Sequence, residues 1–140
     1  MAPAHKGQKT IRWFIALFWV QVAAFATLLS SMFAPFLRAS VRPAFLPLVG
    51  VNSILGLALL TASIRAKPPK VLRRFLILTG ASTAGFAVFG LLHNALYGLA
   101  EIAGNWNVLK QAAGALELVF FVIAIFVCPV CFIVGVLGSI

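Results

Sequence analysis

Aspartate is absent from this chain, and glutamate occurs only as Glu101 and Glu117. Most hard-metal binding and general acid–base catalysis rests on carboxylates, so little of that chemistry has a foothold here. A helical HExxH metal motif, a glycine-rich phosphate loop and a serine in a GxSxG elbow are also missing. No internal repeat with matching residues, low-complexity tract or polar linker interrupts the chain, and a folded extramembrane domain has no room between its apolar blocks. Charge is scarce as well: 9% of residues are charged against 63% hydrophobic, too little polar surface to cover a water-soluble globule.

What is present is four apolar blocks, Trp13 to Phe33, Phe45 to Ile64, Phe75 to Leu92 and Leu118 to Leu137. Each holds roughly 20 residues, which at about 1.5 Å per residue spans the ~30 Å hydrocarbon core of a bilayer. Inside lipid only helices or closed barrels satisfy their backbone polar groups, and these blocks are continuously apolar instead of alternating, which selects helices. The expected fold is all-α: one integral membrane bundle over 1–140, with four transmembrane helices at about 12–34, 44–64, 72–101 and 112–138. Met1 to Thr10 is basic enough for a signal n-region. The apolar stretch behind it is too long for an h-region and lacks a small-residue cleavage site, so the first block is expected to remain as a span.

The net charge of +9 sorts by side. Lys6, Lys9 and Arg12 precede the first helix, and Arg65, Lys67, Lys70, Arg73 and Arg74 lie between the second and third. Arg38, Arg42 and Lys110 fall in the two alternate connections. Eight basic residues against three predict, by the positive-inside rule, that both termini are cytoplasmic. The location expected is the bacterial cytoplasmic (inner) membrane. The cluster from Arg65 to Arg74 is expected to meet anionic lipid headgroups, at about 1 kcal/mol per basic residue near the surface. This distribution accounts for the charge without nucleic acid, which is not expected as a partner. Pro35, Pro43 and Pro47 mark the outer turn, Pro68 and Pro69 the inner one.

The third helix carries a stripe of small and polar residues, Gly80, Thr83, Ala87, Gly90, Asn94, Tyr97 and Glu101, at alternating spacings of three and four. Small residues let backbones approach closely, and in lipid association depends on such contact and on hydrogen bonds. The mean period suits left-handed packing near about +20°. Ala81 and Gly85 add a small pair on the adjacent face, and Phe75, Phe86 and Phe89 remain for lipid or for filling gaps. Ordinary packing within the bundle is the preferred reading, ahead of a dedicated oligomer interface.

Counting from Phe75 puts His93 about 27 Å along, at the outer boundary. His93, Asn94, Tyr97 and Glu101 therefore form an outer polar group, which Glu117 approaches from the fourth helix. An imidazole beside carboxylates is suited to proton handling or cation binding. The alternative, which is preferred, is a polar cap that meets headgroups, with Tyr97 and Trp106 as interface aromatics.

Cys128, Pro129, Val130 and Cys131 spell CxxC inside the fourth helix. A thiol redox pair, a soft-metal site and plain packing are the readings, and packing is preferred. Cys128 lies about 15 Å below the start of its block, a redox relay would need further cysteines, and a metal further ligands. Pro129 removes one helical hydrogen bond, frees the Ile125 carbonyl and predicts a kink. Gln21, Asn52, Thr83 and Cys128 fall in the middle third of the bilayer, where Gln21 and Asn52 are expected to face inward and toward each other. Helix-to-helix adhesion is favoured there over the lining of a conduction path.

No cofactor is predicted. The function expected is that of a non-catalytic accessory or structural subunit in a larger membrane complex or homo-oligomer, with other transmembrane helices and the bilayer as partners. The alternatives are a small transporter or channel using the two polar levels and, more weakly, a membrane thiol oxidoreductase. A carboxylate within a span is the usual mark of ion-coupled transport, yet Gln21 is the strongly polar side chain of the first span.

Overall fold

The computed structural model describes residues 4–33, 44–66, 68–102 and 107–140, with side chains from 12 to 32 and throughout the later segments. Four helices account for nearly all of them: α1 (Ala4–Phe33), α2 (Phe45–Ala66), α3 (Lys70–Ile102) and α4 (Asn107–Leu137). There is no strand among the described residues. Each helix is long and apolar enough to cross a bilayer, the architecture of an integral membrane bundle. Exposure agrees, since Trp19, Ile54, Val88, Val119, Phe126 and Ile133 all turn outward. In water such a girdle would be an aggregation surface; in lipid it is the solvent contact.

The helices outrun the apolar blocks that define them. α1 begins at Ala4, eight residues before its expected start, because helix-compatible Lys6, Gln8 and Lys9 continue the ladder after hydrophobicity ends. The apolar span within it is Arg12–Met32. α4 likewise starts at Asn107 and runs through the alanine-rich segment before Leu118. Pro47, expected in the outer turn, sits in the first turn of α2, where its missing N–H would have had no helical acceptor. Pro68 and Pro69 do precede α3, and the Arg73 N–H donates to the Pro69 carbonyl at 2.9 Å. Pro35, Pro43, Arg38, Arg42, Lys67 and Trp106 lie outside the described residues.

α3 is the central element, with α2 on one face, α4 on the next, and α1 packed on α2. The α2 contact is a backbone approach: a methyl group on Gly80 would stand 2.7 Å from the Gly56 carbonyl oxygen and 2.9 Å from the Leu60 nitrogen. One on Gly56 would strike the Thr83 hydroxyl. The α4 contact uses glycines on the other partner, where a methyl on Gly135 would come 2.8 Å from the Thr79 nitrogen and one on Gly138 would enter the Phe75 ring. Between these seams an aromatic wedge fills the centre, with Phe25 from α1 edge-on to Phe86 at 5.5 Å and tilted against Phe132 at 4.5 Å. Leu28 and Cys128 complete that group. Phe18, Leu59 and Leu76 form a second one nearer the arginine-rich end.

Hydroxyls inside the bundle are satisfied locally. Ser63, Thr79, Ser82 and Thr83 each donate to a carbonyl one turn back on their own helix, at 2.6 to 3.3 Å. In hydrocarbon this spares them a partner on another helix. α4 departs from regular geometry over Ile123–Val127, a π-helical turn in which the Cys128 N–H reaches back five residues to the Ile123 carbonyl. Pro129 follows two residues later. A proline ring clashes with the carbonyl four residues before it, here that of Ile125, and the wider turn relieves that clash.

Candidate functional site

Two polar levels stand out in an otherwise apolar molecule. The deeper one joins α1 to α2: the Gln21 side-chain amide donates to the Asn52 carbonyl oxygen at 2.9 Å, and both residues are fully buried. Each leaves one polar atom unmet, Gln21 Oε1 and Asn52 Nδ2. Thr83 is buried one seam away between α2 and α3, and its hydroxyl turns back to Gly80 and Thr79. Cys128 is buried against Gly85 and the aromatic wedge, Cys131 is half-buried, and both thiols are free. Gln21, Asn52, Thr83 and Cys128 are all shielded from the surface.

The outer level joins α3 to α4. His93 Nδ1 lies 3.3 Å from the Glu117 main-chain oxygen, within hydrogen-bond reach, and 3.6 Å from Glu117 Oε1, an ion-pair distance when the ring is protonated. The His93 ring also tilts against Phe121, with centroids 5.2 Å apart. Both side chains of the pair keep about a quarter of their surface exposed, 26% for His93 and 25% for Glu117. A recess of about 390 Å³ opens beside them, bounded by Gly114, Leu118 and Phe121.

The other members of the outer polar group stand apart. Asn94 returns its side-chain N–H to the Gly90 carbonyl at 2.7 Å, while Tyr97 and Glu101 face outward. Successive residues on a helix are turned by about 100°, so a step of four advances by about 40° and a step of eight by about 80°. Glu101 has therefore rotated away from the α4 face on which His93 sits. Among the described residues, no three His, Cys, Asp or Glu side chains gather closely enough to hold a metal.

The small-residue stripe divides in two. Gly80 and Thr83 are buried against α2, and Ala87 is buried where that seam ends. Beyond them Gly90 has no atom within 4 Å of where a methyl would stand. There an apolar groove of about 260 Å³ opens between Phe45 and Val49 of α2 and Ala87, Gly90 and Leu91 of α3, with Met32 of α1 and Phe121, Ala124 and Ile125 of α4 also lining it and His93 and Asn94 at its rim. The groove does not reach Gln21 or Asn52. On the adjacent face Ala81 is exposed, and Gly85 is half-buried beside Cys128 and Phe89.

Arg65, Lys70 and Arg74 are exposed at the opposite end of the bundle, and Arg73 is half-buried with its Nε lacking an acceptor. Sequence reasoning missed Gly56, Ser63, Thr79 and Gly135, all buried at helix seams. Gly56 and Gly135 offered a signal, as glycines within continuous apolar blocks. Thr79 and Ser63 offered none, since a hydroxyl that bonds its own helix is tolerated on any face. No protein-family model matches this chain, and comparison with curated proteins and with solved structures likewise gives no match.

Proposed function

We propose that this chain is a small, non-catalytic membrane subunit whose outer groove beside Gly90 receives a transmembrane helix, from a larger complex or from a second copy. The observation that carries this reading is the half-used stripe on α3. Its lower part grips α2 through Gly56 and Gly80 at backbone distance, whereas the same kind of surface at Gly90 meets no neighbour among the described residues. Leu91 beside it is 67% exposed. Small residues with flanking apolar ridges are what a helix in lipid packs against. In this reading the arginine-rich end and both termini are cytoplasmic, the host is a bacterial inner membrane, and α4 bends at the π turn before Pro129.

The test is native mass spectrometry of the chain released from its own membrane, with Gly90→Leu beside wild type. The predicted outcome is a heteromeric or homomeric species that Gly90→Leu removes while helicity and melting stay unchanged. A wild-type chain that is released alone, or an assembly that Gly90→Leu leaves intact, contradicts the reading.

The His93–Glu117 pair favours a second reading, a small proton- or cation-coupled transporter. A carboxylate and an imidazole stand 3.6 Å apart beside an open recess, the kind of pair that proton or cation coupling uses. Glu117→Gln in a proteoliposome proton-flux assay decides it, because lost flux would favour transport over the subunit role. Thiol redox at Cys128 and Cys131 is the weakest reading, and it falls if the double Cys→Ser variant assembles and supports growth as wild type does.

A further inference from the structure

At the arginine-rich end α1 and α2 part, and a groove of about 490 Å³ opens between Trp13, Phe14 and Leu17 on one wall and Ala62, Arg65 and Ala66 on the other. The walls differ in kind. α1 contributes bulky apolar side chains, while α2 contributes two methyl groups one turn apart, so the small side chains of α2 leave an apolar space that part of a hydrocarbon chain could fill. Trp13 is 76% exposed beside it, as an aromatic at a headgroup boundary would be. Arg65 occupies the last turn of α2, at the mouth of the slot.

The charge around this mouth is uncompensated. Arg12, Lys70, Arg73 and Arg74 belong to the same end of the bundle, whereas Glu101 and Glu117 lie far along α3 and α4 at the other. Among the described residues the ion pair is His93–Glu117, so no side-chain carboxylate pairs with these arginines. A guanidinium that tops an apolar slot selects a molecule with an anionic head and a hydrocarbon tail. Nucleic acid offers no tail for the slot. A zwitterionic lipid brings an ammonium group that this end repels and no acid receives.

We propose that the α1–α2 groove is a discrete binding site for one anionic glycerophospholipid of the phosphatidylglycerol type, its phosphodiester held by Arg65 and an acyl chain lodged between Phe14, Leu17 and Ala62. The site differs from general attraction to a basic rim, because it requires both the Arg65 fork and the empty volume above Ala62. It is independent of the subunit role, since its residues lie at the opposite end from Gly90.

The full chain, delipidated in mild detergent, is titrated with phosphatidylglycerol or phosphatidylcholine of identical chains and read by native mass spectrometry. One phosphatidylglycerol per chain is expected to bind in preference to phosphatidylcholine. Arg65→Gln should weaken it about tenfold or more, the loss of a charged hydrogen bond to the phosphodiester and not of surface attraction alone. Ala62→Leu, which fills the slot without touching charge, should weaken it to a similar degree. Arg74→Gln removes the same charge outside the groove and should change affinity less than about twofold, within the scatter of exposed charges. Arg65 is exposed and Ala62 is half-buried against the open groove, so these variants are expected to keep wild-type helicity and melting. Equal losses for Arg65→Gln and Arg74→Gln, an unaffected Ala62→Leu, or equal retention of the two lipids would overturn the site.

Discussion

Gln21 and Asn52 make one hydrogen bond where two amides have the groups for two, and Gln21 Oε1 and Asn52 Nδ2 remain buried without partners. In hydrocarbon such a bond contributes around 0.6 to 2 kcal/mol, while stranding one partner costs about 1 to 3 kcal/mol. Asn52→Leu alone should therefore destabilise the bundle by about 1 to 2 kcal/mol, because Gln21 stays buried with nothing to bond. The double variant Gln21→Leu/Asn52→Leu should recover most of that loss, since no polar atom is then left over. Reversible unfolding in mixed micelles measures both, and a double variant weaker than either single one would assign the pair more than adhesion. The pair was legible in the sequence because each residue is the strongest polar side chain at mid-depth in its block. The partner of His93 was less so: Glu117 and Glu101 are equally acidic, and the choice depends on how α4 is rotated against α3.

Among the elements, α3 shows how one helix serves two neighbours with different chemistry. Toward α2 it presents its own glycine, and toward α4 it presents Thr79 and Phe75 to glycines on the partner. Gly80→Leu or Gly56→Leu drives a side chain into backbone atoms that cannot yield. Either should abolish a monodisperse, folded product, well beyond the roughly 1 to 3 kcal/mol of ordinary overpacking. Gly98→Leu, which meets only open space, should purify and melt like wild type. Size-exclusion profiles and melting curves report the contrast, and equal behaviour of Gly98→Leu and Gly80→Leu would refute the close approach. Gly80 was readable from its stripe, but Gly56 as its counterpart was not, because the register between two helices is a property of the packed pair. Helix ends were read short for a related reason: hydropathy marks the lipid span, and the backbone ladder continues through Lys6 to Lys9 and through Val108 to Leu116 without it.

α4 makes a further case at the same scale. Its π turn stands where a proline at 129 would obstruct the Ile125 carbonyl, and the ring accounts for it without any role for the thiols. Pro129→Ala restores an N–H donor and should return the segment to α-helix, lengthening the spin-label distance between positions 118 and 137. An unchanged distance would trace the π turn to packing against α3 instead.

For the molecule as a whole, the ordering of its surfaces follows from the solvent. Apolar side chains face outward around the waist, most buried polar groups are bonded within, most arginines and lysines gather at one end and the two glutamates lie toward the other. A protein built this way is specified by its orientation in the bilayer as much as by its core, and both proposed partner surfaces inherit their side of the membrane from it. That dependence makes topology the most direct trial. Single cysteines placed at the C-terminus, beside Arg74 and beside Glu101, in a chain with Cys128 and Cys131 replaced by serine, are to be labelled in intact cells with a membrane-impermeant maleimide. The account predicts labelling beside Glu101 alone, with the other two reacting only after the membrane is opened; labelling of the C-terminus and of the Arg74 position from outside, or of the C-terminus and the Arg74 position from opposite sides, would contradict it.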